Sequence, residues 1–243
     1  MKKFLLTATS ILTLSNVSTS LGYDLTSYII PMYSYPVGKY QLQWEKLYNL
    51  NTSKEVDVIV NVNNGPGTNV DPNFVNAISR LKAKGFHVFG YVYTGYGSRN
   101  LSDVEYDMYN WLLLYGVNNI DGFFIDETSN NATYYSYYQN IYNYARSNGK
   151  LVILNPGWNI STDYFNIADK IVVIETNLKN FTSFVYNNYS SIYSDRVCSI
   201  VLGVSPTTVI PVMNKMLQNN SSCGYITDKG GSGAYFYLSP YLR

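Results

Sequence analysis

Gly122-Phe123-Phe124-Ile125-Asp126-Glu127 is an unbroken apolar run that stops abruptly at two acids. Runs of this length without polar alternation suit a strand covered on both faces, as in a parallel sheet. Working outward, the same character recurs at residues 28–33, 56–62, 87–93, 151–155, 171–175, 198–204 and 224–228. Stretches with apolar residues at helical spacing lie between several of them. These are 70–83, which opens on Asp71-Pro72, then 104–115, 134–148, 178–193 and 208–218. Strand starts are separated by roughly 20 to 35 residues, the length of one strand–helix repeat. Eight repeats predict an α/β fold, a single-domain (β/α)8 TIM-like barrel. The fifth repeat, 158–169, has room for only a short helix. An open doubly wound sheet is the competing architecture, although no Gly-rich phosphate fingerprint follows the first strand.

The N-terminus reads as a secretory signal peptide: Met1-Lys2-Lys3, an apolar run over 4–14, and small residues at Ser18-Thr19-Ser20. Residues 1–20 are expected to be removed, leaving 21–243 as a secreted, extracellular or wall-associated domain; a buried N-terminal helix is the alternative. No stretch reaches the roughly 18 apolar residues of a membrane span. Cys198 and Cys223 fit one bridge in an oxidising compartment, or else two unpaired buried thiols. Asn-X-Ser/Thr acceptors at Asn51, Asn100, Asn131, Asn159, Asn180, Asn188, Asn219 and Asn220 accord with secretion, though an Asn-rich chain produces several by chance.

Seventeen basic residues against sixteen acids give a net charge of +1, so no strong field draws nucleic acid or an anionic membrane. Tyr (26) and Asn (28) supply uncharged hydrogen-bonding surface suited to sugars. A single histidine excludes zinc sites built on several His and leaves a Ser-His-Asp triad dependent on His87. His87 opens its strand, at the wrong end for catalysis, and reads as structural. Neither cofactor nor metal is expected, and the domain is expected to be monomeric.

In a barrel of this type function collects where strands end. Asp57, Asp121, Asp169 and Asp195 begin or precede strands and belong to the opposite, stabilising end. Most other acids fall on helices or before strands. Only Asp126, Glu127, Glu175 and Asp228 stand where a strand hands over to its loop, and Asp228, ahead of Lys229-Gly230-Gly231, reads as an Asx turn. Glycoside hydrolysis needs two carboxylates flanking one bond, and the fourth and sixth strands are a suitable span apart. Asp126 and Glu127 are neighbours on a strand and so point to opposite sides; at most one meets the sugar directly. The other orients it or raises its pKa. A helix-capping role for either is the structural alternative. Asn61, Asn63, Tyr96, Arg99, Asn155 and Trp158 lie in loops of the same rim. With Tyr33 and Tyr91 they offer amides, rings and a guanidinium to a saccharide.

Several segments, in order, resemble the spherulin-4 family of secreted proteins. They are Ile30-Pro31-Met32-Tyr33-Ser34-Tyr35-Pro36, Asn61-Val62-Asn63-Asn64-Gly65-Pro66-Gly67 and Gly90-Tyr91-Val92-Tyr93-Thr94-Gly95-Tyr96-Gly97-Ser98-Arg99. Asp121-Gly122-Phe123-Phe124-Ile125-Asp126-Glu127, Asn155-Pro156-Gly157 and Val173-Ile174-Glu175 continue the match. The chain is also similar to fungal glycoside hydrolases that cut galactosaminogalactan. The resemblance implies a barrel that hydrolyses, endo-fashion, α-1,4-linked polymers containing galactosamine and N-acetylgalactosamine. It implies Asp126 as nucleophile, Glu175 as general acid/base and Glu127 as an assisting group. Tyr93 departs from the pattern, standing where an Asp is expected. An N-acetyl group of the substrate is an alternative nucleophile. A wall or cyst-coat protein that binds polysaccharide without cutting it is the competing function. A phosphodiesterase barrel is disfavoured for want of a second histidine or a metal cluster.

Overall fold

The computed structural model describes residues 24–243, so the expected signal peptide at 1–20 lies outside the described residues. Eight strands close a barrel in sequence order, each parallel to both neighbours. They are β1 (Ser27–Met32), β2 (Glu55–Val60), β3 (His87–Tyr93), β4 (Gly122–Asp126), β5 (Leu151–Leu154), β6 (Lys170–Asn177), β7 (Val197–Leu202) and β8 (Cys223–Ile226). Pairing of β8 with β1 distinguishes this barrel from an open sheet. Strand residues are buried almost throughout because barrel filling lies on one face and helices or loops on the other.

Among the described residues, six helices pack outside: α1 (Gln41–Tyr48), α2 (Pro72–Ala83), α3 (Leu101–Tyr115), α4 (Tyr135–Ser147), α5 (Leu178–Ser183) and α6 (Val209–Gln218). Asp71 starts α2 by accepting the Asn73 and Phe74 backbone N–H groups, with Pro72 in the first helical position. Two outcomes differ from the sequence reading. Helix α1, which the periodicity does not announce, buries only Trp44, Leu47 and Tyr48. The helix expected over 178–193 stops at Ser183. Beyond it the Asn159 side chain fixes the chain in another path, donating to the Val185 carbonyl (2.8 Å) and accepting from the Asn187 N–H (3.0 Å). Those bonds, and burial of Phe184, Tyr186 and Tyr189, outweigh local periodicity. The fifth connection is a short 3-10 turn, Thr162–Asn166, and the chain after β8 forms another, Gly231–Tyr235.

The lower end of the barrel is tied by the acids assigned to it. Asp121 accepts the Val88 N–H (2.7 Å) and Asp169 the Val152 N–H (2.8 Å), satisfying donors that lead into β3 and β5. Buried Asp57 pairs with Lys170 (2.5 Å) and His87 (3.0 Å), so His87 is structural. Lys170 also bonds Glu55 at 2.5 Å, which places an ammonium against both carboxylates of the cluster formed by Glu55, Asp57 and His87. Cys198 and Cys223 are in register on β7 and β8 and form a disulfide. Among the described residues, no helix is long and apolar enough to cross a membrane.

Candidate active site

The upper rim owes its shape to how β4, β5 and β6 end. Asp126 is the last residue of β4, beside Tyr93 of β3 in the strand register. β5 pairs with β6 through only two positions, Ile153 with Lys170 and Leu154 with Ile171. The strands then part, and the turn after β5 fills the gap: the Gly157 carbonyl accepts the Glu175 N–H at 3.1 Å. Further along β6, a register shift between Val172 and Ile174 immediately precedes Glu175. A bulge re-aims the side chains that follow it, and Glu175 now stands across from Asp126.

One amide joins the two acids. Asn155 is buried, and its Nδ2 donates to Asp126 Oδ1 at 2.8 Å and to Glu175 Oε2 at 2.6 Å. Those two oxygens are therefore at most roughly 5.4 Å apart, the two bonds laid end to end, near enough for both carboxyls to meet one sugar. Asn155 is itself held, its Oδ1 accepting the Gly157 N–H at 3.0 Å. Tyr91 donates to Asp126 Oδ2 at 2.7 Å, and Tyr235 to Glu175 Oε1 at 2.5 Å. Tyr33 lies between these phenols, edge-on to Tyr91 (5.4 Å between centroids) and stacked with Tyr235 (5.3 Å).

Burial is the main force on both carboxyls and pushes each pKa up. Glu175 is raised further by the negative charge of Asp126, while Tyr235 and Asn155 oppose the rise. Three donors stabilise the Asp126 anion: Tyr91, the Glu127 backbone N–H and Asn155. Asp126 thus has three donors opposing its rise, and Glu175 two donors opposing a rise to which a neighbouring charge adds. Desolvation, reinforced by these acids, pushes the Tyr33, Tyr91 and Tyr235 phenols upward, so they stay neutral.

Tyr96, Asp126, Glu127, Asn155, Pro156, Gly157 and Glu175 line one cleft, with about 650 Å³ of free space open to solvent. Glu127 lies beyond β4 at φ 52°, where strand alternation no longer applies, and it lines the same cleft as Asp126. Tyr96 is also left-handed, at φ 56°, and its N–H donates to the Glu127 carbonyl at 2.7 Å, so the two strained positions brace each other. Trp158 follows Gly157, half-exposed, against Phe184.

Other rim residues are engaged elsewhere. Asn61 accepts the Gly65 N–H at 3.0 Å and shapes its own loop, while Asn63 is exposed. Arg99 pairs with Asp107 (2.6 Å), donates to the Tyr93 carbonyl (3.0 Å) and covers the Tyr93 ring (4.2 Å). Its guanidinium pins the β3 loop to α3. Asp228 makes no Asx turn: its Oδ1 has no hydrogen-bond partner, and its Oδ2 pairs with Lys229. Tyr235 was not legible as a site residue, although the rule that the strand-end rim carries function covers its loop.

A profile of spherulation-specific family 4 matches residues 27–243. The chain belongs to this family. Spherulin-4 of Physarum polycephalum is 31% identical over 239 residues, spanning 92% of this chain and 70% of that protein. The crystal structure of Aspergillus clavatus Sph3 in complex with GalNAc superposes with a TM-score of 0.77 at 22% identity, covering 90% of this chain and 95% of that one. That likeness shows a common fold. Within the family 4 chain described here, the acids named by resemblance, Asp126, Glu127 and Glu175, share one cleft.

Proposed function

We propose that this family 4 protein is a secreted glycoside hydrolase that cleaves α-1,4-linked polysaccharide containing galactosamine and N-acetylgalactosamine, with retention of configuration. The observation that carries the reading is the Asn155 amide, which holds Asp126 and Glu175 within reach of one sugar in an open cleft. Retaining enzymes place their carboxyls about 5 to 5.5 Å apart, whereas inverting ones leave roughly 6.5 to 9.5 Å for a water. The bound set by Asn155 favours the former. GalNAc bound to the related Sph3 barrel supports an amino sugar as ligand.

Asp126, whose carboxylate form its three donors favour against the effect of burial, attacks the anomeric carbon. The bond to the leaving sugar breaks as Glu175 gives its proton to the departing oxygen. Glu175, now a carboxylate, takes a proton from water, and that water displaces Asp126 from the anomeric carbon. Glu127 adds negative charge beside the developing oxocarbenium. Trp158 offers an exposed ring for a sugar face at the cleft edge. The Cys198–Cys223 bridge supports export to an oxidising compartment.

The test is release of reducing ends from partly deacetylated α-1,4-galactosaminan by wild type, Asp126→Asn and Glu175→Gln. Each substitution is expected to lower the rate about a thousand-fold or more with the fold intact, read by circular dichroism. NMR of the first product should show the α anomer. Wild-type protein that binds the polymer and releases no ends would establish a coat or wall-binding role instead.

A further inference from the structure

We propose that Tyr235 is a positioning residue for Glu175, one whose hydroxyl serves both protonation states of that acid. The inference rests on Glu175 being the acid/base and adds a group the catalytic set above lacks. Both Glu175 oxygens are engaged: Oε2 by the Asn155 amide at 2.6 Å, and Oε1 by the Tyr235 hydroxyl at 2.5 Å. An amide N–H can only donate, so a proton on Oε2 would meet another hydrogen. The acid proton therefore belongs on Oε1. A phenol, unlike an amide, both donates and accepts. Tyr235 donates to the carboxylate and, by rotating its O–H, accepts from the acid until the departing oxygen takes that proton in its place.

Retaining hydrolysis uses Glu175 first as acid and then as base. A partner that only donated would favour the anion and weaken the first step. Tyr235 keeps Oε1 in one place through both. The segment is anchored for this purpose: the Tyr235 carbonyl accepts the Tyr33 N–H at 2.8 Å, which ties the turn after β8 to the end of β1. The Tyr235 ring stacks on Tyr33, and Tyr33 packs on Tyr91, the residue that holds Asp126. The two phenol–carboxylate pairs are thus spaced by a third ring. Tyr235 bonds Glu175 directly, so it acts through that acid.

The experiment is Tyr235→Phe, followed by the pH profile of kcat/KM and the titration of Glu175 by carboxyl 13C NMR, its resonance assigned by loss in Glu175→Gln. Losing a donor to the anion raises Glu175. The titration and the alkaline limb of kcat/KM should both move up by about one pH unit, the size of shift a charge-assisted bond commands. The kcat at neutral pH should fall about ten- to a hundred-fold through the base step, with KM changed less than about three-fold. An unmoved titration would overturn the proposal. The NMR readout does not need turnover, so a wild type that cuts nothing refutes the hydrolase reading alone. If Tyr235→Phe does not fold, a fluorinated tyrosine incorporated at position 235 keeps the ring and donates more strongly. It should move the Glu175 titration down, and no movement would again overturn the proposal.

Discussion

At the scale of single residues, the site turns on Asn155, a neutral side chain that lets two buried carboxyls stand close. Removing it leaves Asp126 Oδ1 and Glu175 Oε2 without the donor they share and without the spacer between their charges. Asn155→Ala is therefore expected to raise both pKa values and to lower kcat about a hundred-fold, near the effect of deleting one preorganised donor. Steady-state kinetics across pH on the folded variant would check this; an unchanged kcat would show that the two acids are held by the phenols alone. Asp126 and Glu175 were readable because the rim rule needs only strand ends, and strand ends are visible as the close of an apolar run. The pairing of Arg99 is not visible in its own loop, because its partner Asp107 is set by the pitch of α3. Tyr235 follows a Gly-rich turn whose path depends on the closure of β8 against β1, a non-local event.

At the scale of elements, the barrel wall and its helices are matched by omitted side chains as much as by present ones. Gly90 in β3 faces α3, where a Cβ would lie 2.6 Å from the Trp111 indole. That indole donates to the Tyr91 carbonyl at 2.9 Å, so it cannot withdraw without giving up its bond. Gly90→Ala should cost about 1–3 kcal/mol through overpacking. A protein of this size loses roughly 2–4 °C of Tm per kcal/mol, so a calorimetric drop of several degrees is expected. Because Tyr91 follows Gly90 and holds Asp126, the same change should also reduce activity. The elements most legible in advance, β4 and α2, carry their own signals: a continuous apolar run in one, Asp-Pro capping in the other. The 178–193 segment failed for the converse reason. Its apolar spacing is helical, but Asn159, from the preceding loop, binds the backbone at 185 and 187 in a path that is not helical.

For the whole molecule, the two ends of the barrel respond to pH in the same sense. Asp126 and Glu175 at the upper rim are raised by burial, and His87 at the base is raised by its bond to Asp57. Around His87 stand Asp57, Glu55 and Asp121, with Lys170 bonded to the first two. In each of the three groups the folded state binds its proton more tightly than the unfolded chain. Their contributions are therefore fully present below the unfolded pKa values, about 4 for the acids and 6.5 for histidine. They are lost as pH rises through the higher folded values. Between about pH 5 and pH 8 this protein should accordingly become less stable as pH rises, the reverse of a fold whose carboxylates are all stabilised as anions. One unit of net shift corresponds to about 1.4 kcal/mol. Urea unfolding at the two pH values should therefore show a larger unfolding free energy on the acidic side. Glu175→Gln removes one contributor and His87→Gln another, so each should flatten the dependence, and the pair should flatten it additively because the sites occupy opposite ends of the barrel. A stability that climbed from pH 5 to pH 8 would contradict the upward shifts at the two ends of the barrel.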